Sequence, residues 1–164
     1  MTNRLLAVAV AASMMGTAAF AKEPAKALTV TPPADLKWEP LVPNNPNGPQ
    51  VAVVHGDMKK GPASFFIKLP KGYKSGMHIH TADYQAVVVQ GTPGHIAEGE
   101  TEAKPLQVGS FFFQPGKGVH EDSCTGDTEC INFIVLAGKM DYAPAGKDAP
   151  KPGAKPDAKP APKK

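Results

Sequence analysis

Apolar residues in this chain come in short runs, at 51–55, 64–69, 84–90, 111–114 and 131–137, divided by Gly, Pro or polar turns. Val, Ile and Phe dominate them, and none is long enough for an ordinary helix. The pattern predicts an all-β domain over 51–143, a sandwich or barrel with turn signals between its strands. Neither a sustained 3.6-residue period nor an internal repeat is present. Residues 22–50 are rich in Pro and Asn (TPPADLKWEPLVPNNPNGPQ), which suits an extended arm anchored by the single Trp38.

The two ends read differently from the middle. Residues 1–21 hold one charge, Arg4, then an apolar stretch and the small-x-small sequence Ala19-Phe20-Ala21, the layout of a secretory signal peptide cleaved after Ala21. An uncleaved anchor is the alternative, but the stretch is short for a span and diluted by Ser13, Gly16 and Thr17. The expected mature protein is periplasmic or secreted, with no transmembrane anchor after cleavage. Residues 144–164 (PAGKDAPKPGAKPDAKPAPKK) repeat Pro and Lys with no large apolar side chain, the composition of a disordered tail. That tail is either a solubilising extension or a weak polycationic tether to an anionic envelope.

The formal charge of +3 belongs to those ends. The first 21 residues contribute +1 and the last 21 contribute +4, whereas 22–143 hold 11 Lys against 13 Asp and Glu, a charge of −2. Arg4 is the sole Arg, so the domain lacks the guanidinium fork of bidentate phosphate and base contacts. Specific nucleic-acid binding is excluded as the working reading. Export also decides the reading of Cys124 and Cys130, in CTGDTEC: outside the cytoplasm a structural disulfide is expected, closing a turn between two strands.

Candidate chemistry centres on histidine. His78-Ile79-His80 places two imidazoles on one face if the segment is a strand, and His120 lies in QPGKGVH beside another apolar run. Three converging imidazoles suit a divalent transition metal, although two surface histidines on an exposed strand would look the same. The sequence GYKSGMHIH over 72–80 is G-x5-H-x-H, and GSFFFQPGKGVH over 109–120 is G-x5-P-x4-H. In this order and spacing they resemble the two signature motifs of the cupin superfamily. The combination is similar to secreted single-domain cupins with a Cys pair after the second motif. The resemblance implies a double-stranded β-helix, or jelly-roll barrel, with a metal held at its mouth by three His and one Glu.

Two departures bear on the site. The position of the family glutamate is Tyr84, and the glycine before the last histidine is Lys117, flanked by Gly116 and Gly118. The resemblance assigns His78, His80 and His120 as metal ligands and leaves the carboxylate unassigned. Three neutral donors leave a bound divalent ion at +2 and shift preference towards Zn, Cu, Ni or Fe(II), with positions open to water or an anionic substrate. Tyr84 is read as a hydrogen-bond donor to a bound ligand, as a ligand itself if deprotonated, or as barrel wall. Asp83 and Asp122 are fallback ligands, Asp122 because it shares strand parity with His120. His55 is read as an edge or interior residue rather than a ligand, and His95, after Thr-Pro-Gly, as an exposed turn residue.

Three functions follow. The first is an exported metal-dependent enzyme, an oxygenase (a dioxygenase, for instance) or an isomerase or lyase of a small oxygenated molecule, with Tyr84 as its catalytic donor. The second is a non-enzymatic cupin that binds or senses a metal or small ligand, and the third a structural envelope protein with a degenerate site. The Phe65-Phe66 and Phe111-Phe112-Phe113 runs put aromatics on both faces of their strands, which favours packing against another sheet, the arm or a second subunit in a homodimer.

Overall fold

A computed structural model describes residues 27–145, so the expected signal segment lies outside the described residues, as does the expected tail apart from Pro144 and Ala145. The elements below all belong to the compact unit that begins at Thr31. After one turn of 3-10 helix, Pro33–Asp35, come ten strands: β1 Glu39–Pro40, β2 Gln50–Gly56, β3 Ala63–Leu69, β4 His78–Ile79, β5 Tyr84–Gln90, β6 Pro93–Ala97, β7 Phe111–Gln114, β8 His120–Cys124, β9 Cys130–Leu136 and β10 Ala143–Pro144. They form two antiparallel sheets, a six-stranded one in the order β1-β2-β3-β9-β5-β7 and a four-stranded one in the order β10-β4-β8-β6. The all-β domain expected from the apolar runs is present, in the two-sheet jelly-roll form that the motif resemblance implied.

Period-two alternation builds the large sheet. In β5, Tyr84, Ala86 and Val88 are buried while Gln85, Val87 and Val89 face out, and β9 alternates likewise, with Cys130, Asn132, Ile134 and Leu136 inside. Registered pairs then stack these residues in layers. Phe65, Ile134, Ala86 and Phe112 lie side by side across β3, β9, β5 and β7, and the next layer holds Ala63, Leu136, Tyr84 and Gln114. Val51 and Met58 complete the apolar cluster that these layers form. Phe65, wholly buried at its centre, alone removes enough apolar surface to stabilise the fold by about 2–3 kcal/mol.

Of the triple Phe, Phe112 turns inward against this core, whereas Phe111 and Phe113 are exposed on the outer face. A disulfide joins Cys124 at the end of β8 to Cys130 at the start of β9, with a Cα–Cα distance of 5.7 Å. It therefore ties the small sheet to the large one at one end. Closing so short a loop restricts the unfolded chain by about 2 kcal/mol. None of the helices among the described residues is long and apolar enough to cross a membrane.

The small sheet has short strands and a polar inner face. β4 spans only two residues, and His78 pairs directly with His120 of β8. On the other side of β8, β6 pairs His95 with Asp122 and Ala97 with His120. Residues directly opposite in an antiparallel pair point to the same face, so His78, His95, His120 and Asp122 all project into the barrel.

Candidate metal centre

The three histidines expected from the motifs converge. His78, His80 and His120 each offer a ring nitrogen, and these atoms all lie within 4.8 Å of one another. Their second nitrogens show how each ring is aimed. His78 Nδ1 donates to Gly76 O at 2.9 Å, with Ser75 Oγ at 3.2 Å. His120 Nδ1 donates to Gly118 O at 2.9 Å, and His80 Nδ1 donates to Asp141 O. All three rings thus carry their proton on Nδ1 and turn an Nε2 lone pair towards a common point, with His78 Nε2 and His80 Nε2 only 3.2 Å apart. Two facing lone pairs repel unless something positive lies between them. A backbone carbonyl on the far nitrogen is also how metal-binding imidazoles are generally oriented, so the donor set fits a divalent transition metal.

The loops that aim these groups depend on close backbone approach. Gly116 N donates to Asp83 Oδ1 at 2.6 Å, and a Cβ on Gly116 would lie 2.4 Å from Thr81 O. Lys117, at the family's glycine position, has φ of +63° and donates its N–H to His80 O at 2.7 Å. The left-handed backbone that glycine would supply is retained with a lysine in it, at about 1 kcal/mol of strain.

Tyr84 faces the imidazoles, its hydroxyl donating to His120 Nε2 at 3.3 Å. Burial, reinforced by the Asp122 charge, raises the phenol well above its ordinary value, so it remains protonated. Ligation as a phenolate is accordingly disfavoured. Burial also lowers the pKa of His78 and brings that of His120 to about 4, outweighing the hydrogen bonds and the Asp122 charge that favour protonation; both rings are neutral near pH 7.

The two fallback carboxylates separate. Asp83 is exposed and faces away, its side chain occupied by Gly116 N, so it is no candidate ligand. Asp122 lies among the imidazoles, with Oδ2 3.6 Å from His78 Nε2 and 3.9 Å from His120 Nε2.

His95 corrects the sequence reading, which placed it in an exposed turn. Pro93 ends the turn and opens β6, and pairing with β8 carries the ring inward, where it stacks on Phe112 with centroids 4.5 Å apart. Its Nδ1 lies 2.8 Å from Asp122 Oδ1 and its Nε2 2.9 Å from Gln114 Oε1. Gln114 Nε2 donates to Pro115 O and Gly118 O, which leaves Oε1 to face the ring. Both His95 nitrogens therefore meet acceptors, an arrangement that favours the doubly protonated ring. Burial works against that charge, but the bonds to Asp122 and Gln114 prevail and raise its pKa. Gln114 was not anticipated at all; its only signal is parity with Phe112 in FFFQ. His55 is exposed at the end of β2, outside the cluster.

A cleft of about 480 Å³ leads to the cluster, walled by Leu41, Val42, Ile67, Leu69 and Met140, with His78, His80 and Asp122 on its lining. The segment after β9 forms part of its rim: Tyr142 stacks on His78 at 4.8 Å and Asp141 holds His80. Deeper in the barrel, Asn132 shares a narrow pocket with His80, Tyr84 and Asp122, and its Oδ1 is buried without a hydrogen-bond partner.

A jelly-roll barrel with histidines from both motifs gathered at its mouth is the cupin fold, and solved structures agree on it. The chain is similar to an RmlC-like cupin protein from Ralstonia eutropha JMP134 (TM-score 0.58, 20% identity, covering 74% of each chain). It is also similar to the polyketide cyclase RemF from Streptomyces resistomycificus (TM-score 0.60, 12% identity, 74% of this chain and 89% of that one). A third likeness is the DMSP lyase DddQ from Ruegeria pomeroyi DSS-3 (TM-score 0.56, 16% identity, 71% of this chain but only 64% of that one). Residues 29–161 match the family described as "Domain of unknown function (DUF4437)", and the chain belongs to it. No curated protein matches the sequence.

Proposed function

We propose that the protein is an exported, metal-dependent cupin enzyme, an oxygenase or an isomerase or lyase, acting on a small oxygenated molecule. One observation carries the reading: three imidazoles, each held by a backbone carbonyl at Nδ1, point three Nε2 lone pairs at one place. His78, His80 and His120 would hold Zn, Fe(II), Ni or Cu. A divalent ion there polarises a bound oxygen or activates water or O2.

The other roles fall to the chain itself. The apolar wall of the cleft orients the ligand body and excludes water. Tyr84, held in its protonated form, donates a hydrogen bond to a ligand oxygen beside His120. Asn132 Oδ1, which lacks a donor, accepts one from a hydroxyl of the ligand. That Tyr84 is a reluctant acid favours the second reading, a cupin that binds or senses its ligand without turnover. The disulfide is compatible with export. Exposed Val87, Phe111, Phe113 and Val135 on the outer face of the large sheet support pairing with a second copy.

The test is metal analysis of tag-free protein beside a His78→Ala/His80→Ala variant. Wild type should carry about one ion per chain and the variant close to none; equal content in both overturns the enzyme and metal-binding readings together. Turnover is then sought as oxygen uptake, or product formation, with a panel of diketones, phenols and hydroxy acids. A metal-loaded protein inert to all of them favours the binder.

A further inference from the structure

We propose that Asp122 is the fourth protein ligand of the metal centre, replacing from β8 the carboxylate that the family places at position 84, and that His95 and Gln114 are positioning residues for it. The inference rests on the metal reading above.

Spacing is the first argument. Two donors bonded to one ion at about 2.1 Å lie about 3–3.5 Å apart, or up to about 4 Å when the angle between them opens. Asp122 Oδ2 is 3.6 Å from His78 Nε2 and 3.9 Å from His120 Nε2, within that limit. Both rings are protonated on Nδ1, so neither offers Oδ2 a proton. Among the described residues no hydrogen-bond donor reaches Oδ2, whereas Oδ1 is taken by His95 at 2.8 Å. One oxygen is tied back and the other is presented to the cluster.

The second argument is how rigidly Asp122 is held. Its backbone N–H donates to Ser75 Oγ at 2.8 Å, the same hydroxyl that lies beside His78 Nδ1. Its Oδ1 is fixed by His95, which is fixed in turn by Gln114 across the barrel on β7 and by the stacked ring of Phe112. Gln114 Nε2 bridges two carbonyls of the loop that delivers His120, Pro115 O and Gly118 O. Gly118 O also receives the His120 Nδ1 proton, so one backbone atom orients an imidazole ligand and anchors the chain that orients the carboxylate. Donors held through a second tier of hydrogen bonds are characteristic of metal sites.

The third argument is sequence placement. Asp122 lies two residues beyond His120 on one strand and so shares its face, while position 84 is filled by a tyrosine in place of a carboxylate. A carboxylate from β8 lowers the charge of the loaded centre from +2 to +1. It also restores a hard oxygen donor, which widens the set of suitable ions to include Mn(II).

The experiment uses the metal-free full chain titrated with Co(II), read as affinity and as the d–d absorption of the bound ion. Asp122→Asn keeps the size of the side chain and an acceptor for His95. We expect it to weaken Co(II) binding by about 100-fold or more and to change the absorption, with His95→Gln losing about tenfold. Should Asp122→Asn fail to fold, Asp122→Glu reads the same point, because it keeps the charge but moves the oxygen by one methylene and should shift the absorption. An unchanged affinity and spectrum in the foldable Asp122 variant, with uptake still lost in His78→Ala/His80→Ala, overturns the inference. Asp122 would then be the counterion of His95 and nothing more, and the three-imidazole site would stand. Wild type that takes up no Co(II), Zn(II) or Fe(II) overturns both.

Discussion

The two sheets of this barrel divide the work between them. The inner face of the large sheet is apolar, its layers registered around Phe65, Ala86, Ile134 and Leu136. The inner face of the small sheet carries His78, His95, His120 and Asp122, and its strands run from two to five residues. One sheet supplies the burial that stabilises the fold and the other uses the resulting dry interior for chemistry. Such an interior is what keeps His78 and His120 neutral and a phenol protonated. Tyr84 and Gln114 are the points where the large sheet reaches across to the site.

If that division is right, the largest stability loss comes from the large sheet. Phe65→Ala should cost about 3–5 kcal/mol by urea unfolding, through the cavity left in a packed layer. Metal bound per folded chain should stay at the wild-type value. A variant that folds normally but loses metal would show that the two faces are not separable.

The small sheet should show itself through pH, measured on metal-free protein. His120 has a folded pKa of about 4 against about 6.5 in an unfolded chain, so between these values the unfolded state binds the extra proton. Its contribution is complete above about 6.5 and is lost as pH falls to about 4, by about 3 kcal/mol. His78 acts in the same direction. His95, whose folded pKa is raised, acts in the opposite one: its contribution is complete below about 6.5 and is lost as pH rises through the folded value. Chemical unfolding at several pH values should therefore give a maximum, and His120→Gln should flatten the acid limb. An acid limb unchanged in that variant would remove His120 as its cause.

A smaller effect, of opposite sign, is expected where polarity intrudes on the large sheet. Asn132 faces inward from β9 with an orphan Oδ1, so Asn132→Leu should raise ligand-free stability by about 1–2 kcal/mol. A lower melting temperature in this variant would mean that the amide is already satisfied by ordered water. Lys117→Gly, in the loop between β7 and β8, is expected to add about 1 kcal/mol by removing left-handed strain, with metal uptake unchanged. No gain would show that the lysine makes a compensating contact.

Legibility followed the same division. The apolar runs locate β2, β3, β5, β7 and β9 to within a residue or two, because half of each strand is buried against a core and leaves a hydrophobic signature. They are silent on β4, β6 and β8, whose inward residues include His78, His95, His120 and Asp122. His78, His80 and His120 were legible through motif spacing instead. His95 was misread because Thr-Pro-Gly is turn chemistry; the turn is present, but it ends at Pro93 and the next residues pair with β8. Strand parity points to Asp122, whereas Asp83 stays a candidate only because a turn just before β5 could undo its outward parity; the fold separates the two.

The sequence by itself determined an all-β domain and the Cys124–Cys130 pairing, and the resemblance of its two motifs to those of cupins implied the jelly roll and the three histidines that converge. Local period, motif spacing and loop length are properties of the chain, so these could be read from it. Tertiary structure alone decided that Asp122 stands among the imidazoles while Asp83 turns away, that His95 and Gln114 link the carboxylate to the His120 loop, and that Tyr84 keeps its proton. Those outcomes depend on which strands lie opposite each other and on how completely they exclude water, quantities set by pairs of residues 19 to 36 positions apart.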